Sequence, residues 1–325
     1  MTFDFTKRTC NLKILFTGAS SFTGYWFVNE LTRMGFHVVT VFTGKDLARY
    51  AGILAARIRL LTDNSTPVFG CRFGDSAFLD LVRKERFDVL CHHGSCVTNY
   101  NHPDFDLFHA VQENTLNIRE SLELLQKNGC QAVIWTGSVF EPNEGAGDSD
   151  TAFSPYGLSK SFSWEIIRYY AGLLGLKAGK FVIPNPFGPY EEARFTTYLV
   201  KTWAGNRVAD VNTPGYYRDN IHADLLAKVY AGFVRRMANT MESVEKINPS
   251  GYRGTQGEFA ERFAAELKPR LGLPCLLNLR MNHPFTEPRV RYNTQPVDHT
   301  LYGWDEKQAW DDLALYYRRH VIHSK

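Results

Sequence analysis

The sequence predicts an α/β fold, a doubly wound parallel sheet with a smaller part interleaved from the C-terminal half. Three observations predict it. Short apolar runs, β-branched or aromatic, alternate with helical patterns through residue 183. The first run passes into a glycine-bearing turn and then a helix, and regularity breaks at Pro184, Pro186 and Pro189. Alternation of this kind requires parallel strands joined by right-handed crossovers. It also puts the ligand site beyond the carboxyl ends of the strands.

The strands are expected at 12–17, 37–43, 88–92, 131–137 and 180–183, with a short further strand ahead of Asp75. Helices are expected between them at 25–34, 76–84, 104–127 and 154–174. Beyond the prolines, 195–204, 222–237, 255–271 and 306–320 each carry an apolar stripe at helical spacing. No internal repeat or low-complexity tract interrupts the pattern.

Composition narrows the function classes. At 325 residues the chain has length for about two domains. Its 37 Lys+Arg nearly balance 34 Asp+Glu, and 44% of residues are hydrophobic, which excludes a disordered chain and gives no bulk reason to expect nucleic acid. No apolar run approaches the ~20 residues of a membrane span, so no membrane partner is expected. Residues 1–11 carry Asp4, Lys7 and Arg8 with no apolar stretch behind them, unlike a signal peptide. Cys10, Cys71, Cys91, Cys96, Cys130 and Cys275 are scattered, as for reduced thiols in a cytoplasmic protein. His92 and His93 are adjacent, so a strand points them to opposite faces, and no metal is expected.

The candidate site residues follow the strands. Thr17-Gly18-Ala19-Ser20-Ser21-Phe22-Thr23-Gly24 is the first strand-to-helix turn. Its glycines permit a tight turn and close approach of backbone to a pyrophosphate, met by the helix N-terminus. The second strand ends at Phe42-Thr43-Gly44-Lys45 without the acid that binds NAD ribose hydroxyls. Thr43, Lys45 and Arg49 there favour NADP(H), or else form a solvated loop face. Asp75 is placed either to accept from an adenine amino group or to cap the helix at Ser76, and the two roles are compatible.

Tyr156 and Lys160 form the chain's single Tyr-x-x-x-Lys. Four residues apart on a helix, they share a face, so the ammonium is expected to lower the phenol's pKa towards neutrality. Such a tyrosine acts as a general acid or base. Thr136 and Ser138 end the preceding strand, where their hydroxyls can hydrogen-bond a reacting carbonyl.

Together these residues resemble the extended short-chain dehydrogenase/reductase superfamily, in its nucleotide-sugar epimerase, dehydratase and reductase branch. The resemblance covers almost the whole chain. Residues 17–24 resemble the TGxxGxxG loop, with Ser21 where the middle glycine is usual, its hydroxyl available to a phosphate oxygen. Residues 88–95, Asp-Val-Leu-Cys-His-His-Gly-Ser, resemble the DVVIHLAA strand beside the cofactor, which includes His92 and Gly94 and leads to Cys96. Asn114 sits in the NVxGT-like helix, and Tyr156-Gly157-Leu158-Ser159-Lys160 matches YxxSK. The resemblance implies that Tyr156 is the acid/base and that Lys160 also binds the nicotinamide ribose. Residues 184–189 resemble RxxNVYGP, with Asn185 for the substrate and Val182 where the arginine is usual. Residues 218–224 resemble RDxIHVDD, which implies Arg218 on the substrate diphosphate, with Arg194 and Arg289 or Arg291 as further contacts. A homodimer through the helices of Asn114 and Tyr156 is implied as well.

A Rossmann-type dinucleotide domain is expected from 1–183 together with about 214–238, and a substrate part from 184–213 and 239–325. The Thr-Asp-Glu triplet of 4,6-dehydratases is Thr136-Gly137-Ser138 here, which disfavours dehydration. The leading expectation is an NADP(H)-dependent reductase of a 4-keto nucleotide sugar. The alternatives are an NAD-dependent C4 epimerase and, from another class, a non-catalytic dinucleotide sensor.

Overall fold

In the computed structural model, residues 12–100, 102–280 and 287–322 are described. Cys10 and the stretch read against a signal peptide lie outside them. Seven strands form the central sheet: β1 (Lys13–Thr17), β2 (His37–Phe42), β3 (Thr66–Phe69), β4 (Val89–His92), β5 (Ala132–Ser138), β6 (Lys177–Ile183) and β7 (Val244–Ile247). All are parallel, in the order β7-β6-β5-β4-β1-β2-β3. The order reverses beside β1, so the crevice of a doubly wound sheet opens between the ends of β1 and β4.

Buried positions alternate along the strands, as a sheet covered on both faces demands. Ile14, Phe16, Val38, Cys91, Ile134 and Phe181 face α1 (Phe22–Arg33), α2 (Gly52–Thr62) and, from later in the chain, Ala223–Asn239. Leu15, Val39, Leu90, Val133 and Trp135 face α3 (Ser76–Lys84), α5 (Ile118–Lys127) and α6 (Pro155–Leu173). The return of the chain to the sheet runs past 238, because β7 extends the edge beside β6.

One expected helix is two. Residues 104–127 divide into α4 (Leu107–Asn114) and α5, with Asn117 in the left-handed region at φ +46°. The cause is long-range: the buried His92 Nε2 lies 2.8 Å from the Asn114 carbonyl oxygen and donates to it, and Ile118 N–H turns to Thr115 O instead. Helix α2 falls in a stretch the pattern left unassigned.

The smaller part has its own core. Phe187, Trp203, Phe263 and Trp310 pack among α7 (Phe195–Ala204), α9 (Gln256–Leu271) and α10 (Glu306–Tyr317), with α8 being the Ala223–Asn239 helix on the main sheet. A three-stranded sheet of Asn185–Phe187, Tyr217–His222 and Tyr252–Thr255 connects the two parts.

A buried ion cluster fixes the loop after β5. Lys180 of β6 donates to Glu141 Oε2 at 2.6 Å and Glu144 Oε1 at 2.7 Å, and all three side chains are at most 5% exposed. Glu141 Oε1 also accepts from Ser138 N–H at 2.7 Å. Removing one member of a buried pair strands the other's charge. Lys180→Met is therefore expected to lower stability by about 3–5 kcal/mol in urea unfolding at pH 7. Adding Glu141→Gln should recover part of that loss; a Lys180→Met loss below about 1 kcal/mol would contradict the assignment.

Candidate active site

Three strand ends meet at one cleft of about 1040 Å³. Gly18 has φ +76°, and a Cβ there would fall 2.6 Å from Gly94 Cα, so only glycine lets β1 and β4 close together. A Cβ on Gly24 would fall 2.3 Å from Gly18 O, which explains the glycine where α1 meets the turn. Gly18, Ser20, Ser21, Phe22 and Thr23 line the cleft at the α1 N-terminus. A loop of this shape with no acid in the first helical turn fits a dinucleotide pyrophosphate. Arg57 holds it from behind, donating to Ser20 O at 3.0 Å and pairing with Glu192 at 2.6 Å.

Ser21 does not present its hydroxyl as expected. Its Oγ accepts from Gly24 N–H at 3.1 Å, lies 2.9 Å from Gly18 O, and lies 2.9 Å from His93 Nε2. The hydroxyl is engaged inside the protein rather than kept for a phosphate.

Beyond β2, Thr43 lines the cleft, whereas Lys45 and Arg49 are exposed and do not. Cations that do line the cleft include Arg72, paired with Glu113, and Arg57, paired with Glu192. Asp75 is the N-cap of α3: its carboxylate accepts from Phe78 N–H at 2.8 Å and Arg72 N–H at 3.0 Å, and it does not line the cleft. Of its two compatible roles, the cap is the one with a partner here.

His92 and His93 diverge as adjacent strand residues must. Gly94 N–H donates to Thr17 Oγ1 at 2.9 Å, and Thr17 Oγ1 lies 2.9 Å from His92 Nδ1. With Nε2–H given to the Asn114 carbonyl, His92 Nδ1 accepts the Thr17 proton, so His92 acts as a tie between β1, β4 and α4. The Asn114 side chain accepts from Cys96 N–H at 2.9 Å and donates to Ser163 Oγ at 3.0 Å. Burial pushes the His92 pKa down to about 4, helped by the charge of Lys160.

Thr136, Ser138, Tyr156 and Lys160 line the same cleft. The start of α6 is pressed on the loop after β5, since a Cβ on Gly157 would sit 2.0 Å from Phe140 O. Ser154 caps it, accepting from Gly157 N–H at 3.3 Å. The electrostatics differ from expectation. Burial, then the charge of Glu141, raises the Tyr156 phenol above its ordinary range, while a hydrogen bond with Ser95 and the charge of Arg194 act the other way. Lys160 is pushed down to about 7, chiefly by burial, with Glu141 opposing and Lys180 assisting. Its ammonium stands 3.8 Å from the Trp135 ring centroid, a cation–π contact. The spacing of Tyr156 and Lys160 thus does not produce a lowered phenol.

On the opposite wall, Asn185, Arg194, Arg218 and Cys96 line the cleft. Arg218 Nη1 donates to Tyr217 O and Arg289 O, both at 3.0 Å, and its guanidinium lies 4.5 Å from the Tyr216 ring centroid. Arg289 itself does not line the cleft. Arg291 is buried, donating to Glu144 O at 2.9 Å and Thr151 O at 2.6 Å. The sequence reading assigned no role to His93, Arg57 or Glu141. His93 alone left a mark there, standing where the resembled strand has leucine.

Residues 14–244 match the family model described as the NAD dependent epimerase/dehydratase family. The chain belongs to that family. It is thus an enzyme of the NAD-dependent epimerase/dehydratase family. No curated protein sequence matches it. Its fold is shared with solved structures of low identity. MoeE5, in complex with UDP-glucose and NAD, is 18% identical with TM-score 0.66, over 94% of this chain and 99% of that one. The UDP-glucuronic acid 4-epimerase of Bacillus cereus, in complex with UDP-glucuronic acid and NAD, is 18% identical with TM-score 0.68, over 95% and 99%. The UDP-glucose 4-epimerase of Thermotoga maritima, with UDP-glucose, is 17% identical with TM-score 0.68, over 95% and 99%. Among the described residues of this family member, no helix is long and apolar enough to cross a membrane.

The neutral His92 has a stability consequence. Its folded pKa lies below the unfolded value of about 6.5, so its contribution is intact above pH 6.5 and is lost as pH falls from there towards about 4. Imidazole NMR signals of His92 are expected to hold constant from pH 8 to 5; a midpoint near 6.5 would contradict the buried tie.

Proposed function

We propose that this enzyme interconverts nucleoside-diphosphate sugars at C4 as an epimerase working with NAD. The carrying observation is the meeting of Thr136, Tyr156 and Lys160 with Arg218 in one cleft that also receives the Gly18 loop. A bound nicotinamide dinucleotide supplies the acceptor and donor of the hydride at C4. The α1 N-terminus and Gly18 loop would hold its pyrophosphate, and Lys160 its nicotinamide ribose. Arg218, fixed by two backbone carbonyls and with Nη2 reaching Glu287 Oε2 at 3.4 Å, would turn its outer donors to a diphosphate, a natural ligand for a guanidinium fork that would displace the weaker carboxylate contact.

Tyr156 works at the C4 oxygen. The two half-reactions use opposite forms of this group: the phenol gives its proton to the oxygen as the carbonyl becomes an alcohol, and only the phenolate takes the C4 hydroxyl proton as the alcohol is oxidised. Held above its ordinary range, Tyr156 is in the first form before ligands bind. Thr136 Oγ1 donates to that oxygen as negative charge develops on it. The strand end Thr136-Gly137-Ser138 carries no carboxylate for elimination, and Glu141, the nearest along the loop, is buried behind Gly137 and does not line the cleft.

NADP loses support where Lys45 and Arg49 stand away from the cleft. An NADPH-dependent 4-ketoreductase remains the second reading, favoured by the absent acid after β2 and by the protonated Tyr156. The names of the solved neighbours make UDP-sugars the first panel to assay. Tyr156→Phe is expected to cut turnover at least ~10³-fold while dinucleotide affinity stays within about threefold. Retained turnover would overturn the role of Tyr156. Co-purified NAD without net cofactor consumption supports the epimerase, whereas stoichiometric NADPH oxidation moves the assignment to the reductase. Bound dinucleotide with every nucleotide sugar unchanged would leave the sensor.

The homodimer is proposed on α4 and α6, which expose Phe108 at 82% and Tyr169 at 66%. Sedimentation should give a dimer that Phe108→Glu combined with Tyr169→Glu shifts to monomer; a monomeric native protein would exclude the interface.

A further inference from the structure

Two departures from the family pattern touch each other. Ser21 replaces the middle glycine of the loop, and His93 replaces the leucine of the strand at the end of β4. His93 Nε2 lies 2.9 Å from Ser21 Oγ and 3.2 Å from Thr23 Oγ1. The other ring nitrogen, Nδ1, lies 2.9 Å from Thr136 Oγ1. One imidazole therefore bridges the cofactor loop and the hydroxyl assigned to the reacting oxygen. Its ring is fixed by Phe16 and Phe27, with centroids at 5.6 and 5.3 Å. It is 8% exposed, and burial pushes its pKa down to about 3, with Lys160 and His92 adding to the shift. A ring kept neutral carries one proton, and its position decides which way its neighbours point.

The two arrangements differ in chemistry. With the proton on Nε2, Nδ1 is a bare acceptor and takes the Thr136 proton, leaving only lone pairs for the substrate. With the proton on Nδ1, the ring donates to Thr136 Oγ1, and the threonine proton is released towards the cleft. Nε2 then accepts from Thr23, which has no other acceptor among its described hydrogen bonds, and from Ser21 once its single proton turns from Gly18 O, a carbonyl that keeps Ser21 N–H at 3.2 Å. Hydrogen bonds in such a chain polarise one another, so the Thr136 hydroxyl becomes the stronger donor.

We propose that His93 is a positioning residue, held as its Nδ1–H form by Ser21 and Thr23, that donates to Thr136 and thereby aims the threonine proton at the substrate oxygen. This rests on the reading of Thr136 given above. It also gives Ser21 a purpose that a phosphate ligand would not: the serine helps set the tautomer of the ring behind it.

Asparagine can place an amide donor near Nδ1, glutamine near Nε2, and leucine neither. His93→Leu and His93→Gln are expected to lower kcat about 10- to 100-fold, below the loss of a whole oxyanion donor. His93→Asn should stay within about fivefold of the native enzyme, with KM and dinucleotide Kd within threefold in all three variants. In a Thr136→Val background, His93→Leu should cost less than twofold further, because its effect runs through the missing hydroxyl. Equal losses for Asn and Leu, an undiminished loss in the Thr136→Val background, or a change confined to dinucleotide Kd would each overturn the proposal. An independent readout uses the native protein labelled with 15N-histidine, where the His93 signals, identified by through-space contacts with the Phe16 and Phe27 rings, should show a protonated Nδ1 and a bare Nε2. The reverse pattern overturns the proposal even if no variant can be purified. If the native enzyme turns over no nucleotide sugar, the functional reading fails while the tautomer measurement still decides the role of His93.

Discussion

The hydrogen-bonded line from Gly94 through Thr17 and His92 to Asn114 holds the site's elements in register. It begins on the β4 loop, crosses to the end of β1, returns through a buried imidazole and ends on the last carbonyl of α4. From there the Asn114 amide reaches Cys96 and Ser163, which carries the line to the cleft wall and α6. Buried polar networks of this kind are worthwhile only when every member is satisfied, and here each donor meets an acceptor. The close approach of Gly18 to Gly94 follows, because a side chain at either would push the two strand ends apart. The cleft forms where it does because β1 and β4 are tied at their tips and nowhere beyond.

A second constraint acts on the same face of the sheet, two strands away on β6. Lys180 on β6 draws Glu141 and Glu144 into the interior and so folds the loop after β5 back on its own strand. That loop supports the start of α6 through Phe140, whose carbonyl touches the helix at Gly157 and whose ring stacks on Phe153 at 4.3 Å. Tyr156 is thereby placed by contacts to residues 140–153 as much as by its own helix. The smaller part reaches the same place differently, through Arg218, whose direction is fixed by two backbone carbonyls at 3.0 Å, with the Glu287 carboxylate farther off at 3.4 Å from Nη2.

Much of this was legible from local pattern, and what was not has one kind of cause. The first six sheet strands and α3 lie close to where period and composition put them, because burial on both faces selects β-branched and apolar residues whatever their partners, whereas β7 was not expected and falls among residues assigned to the substrate part. The Tyr156–Lys160 spacing, the Gly18 turn and the cap at Asp75 are likewise local, and each is found. Residues 104–127 failed as one helix because the break comes from His92, more than twenty positions upstream. Lys45 and Arg49 looked like phosphate ligands because sequence places them after β2 but does not say which way the loop turns. Arg291 carries the charge expected of a second substrate contact, yet its guanidinium lies on the carbonyls of Glu144 and Thr151. The common cause is tertiary contact, which no periodicity encodes.

The same cause governs the chemistry of Tyr156 and Lys160. Helical spacing puts a phenol and an amine on one face, and in water that would favour the charged pair. Burial reverses the preference, since it disfavours each charged form and is the largest influence on both groups. Glu141 then acts on them in opposite senses, holding the phenol protonated and drawing charge back onto the amine. Lys180 competes for that carboxylate at 2.6 Å, so a pair behind the strand decides how much of its field reaches the cleft. Lys160 is left titrating near neutrality against the face of Trp135, where its charge can change as ligands enter. The same Tyr-x-x-x-Lys spacing on an exposed helix would keep a permanent ammonium and an ordinary phenol. What makes it an acid/base device here is the enclosure supplied by β5, Glu141 and Lys180.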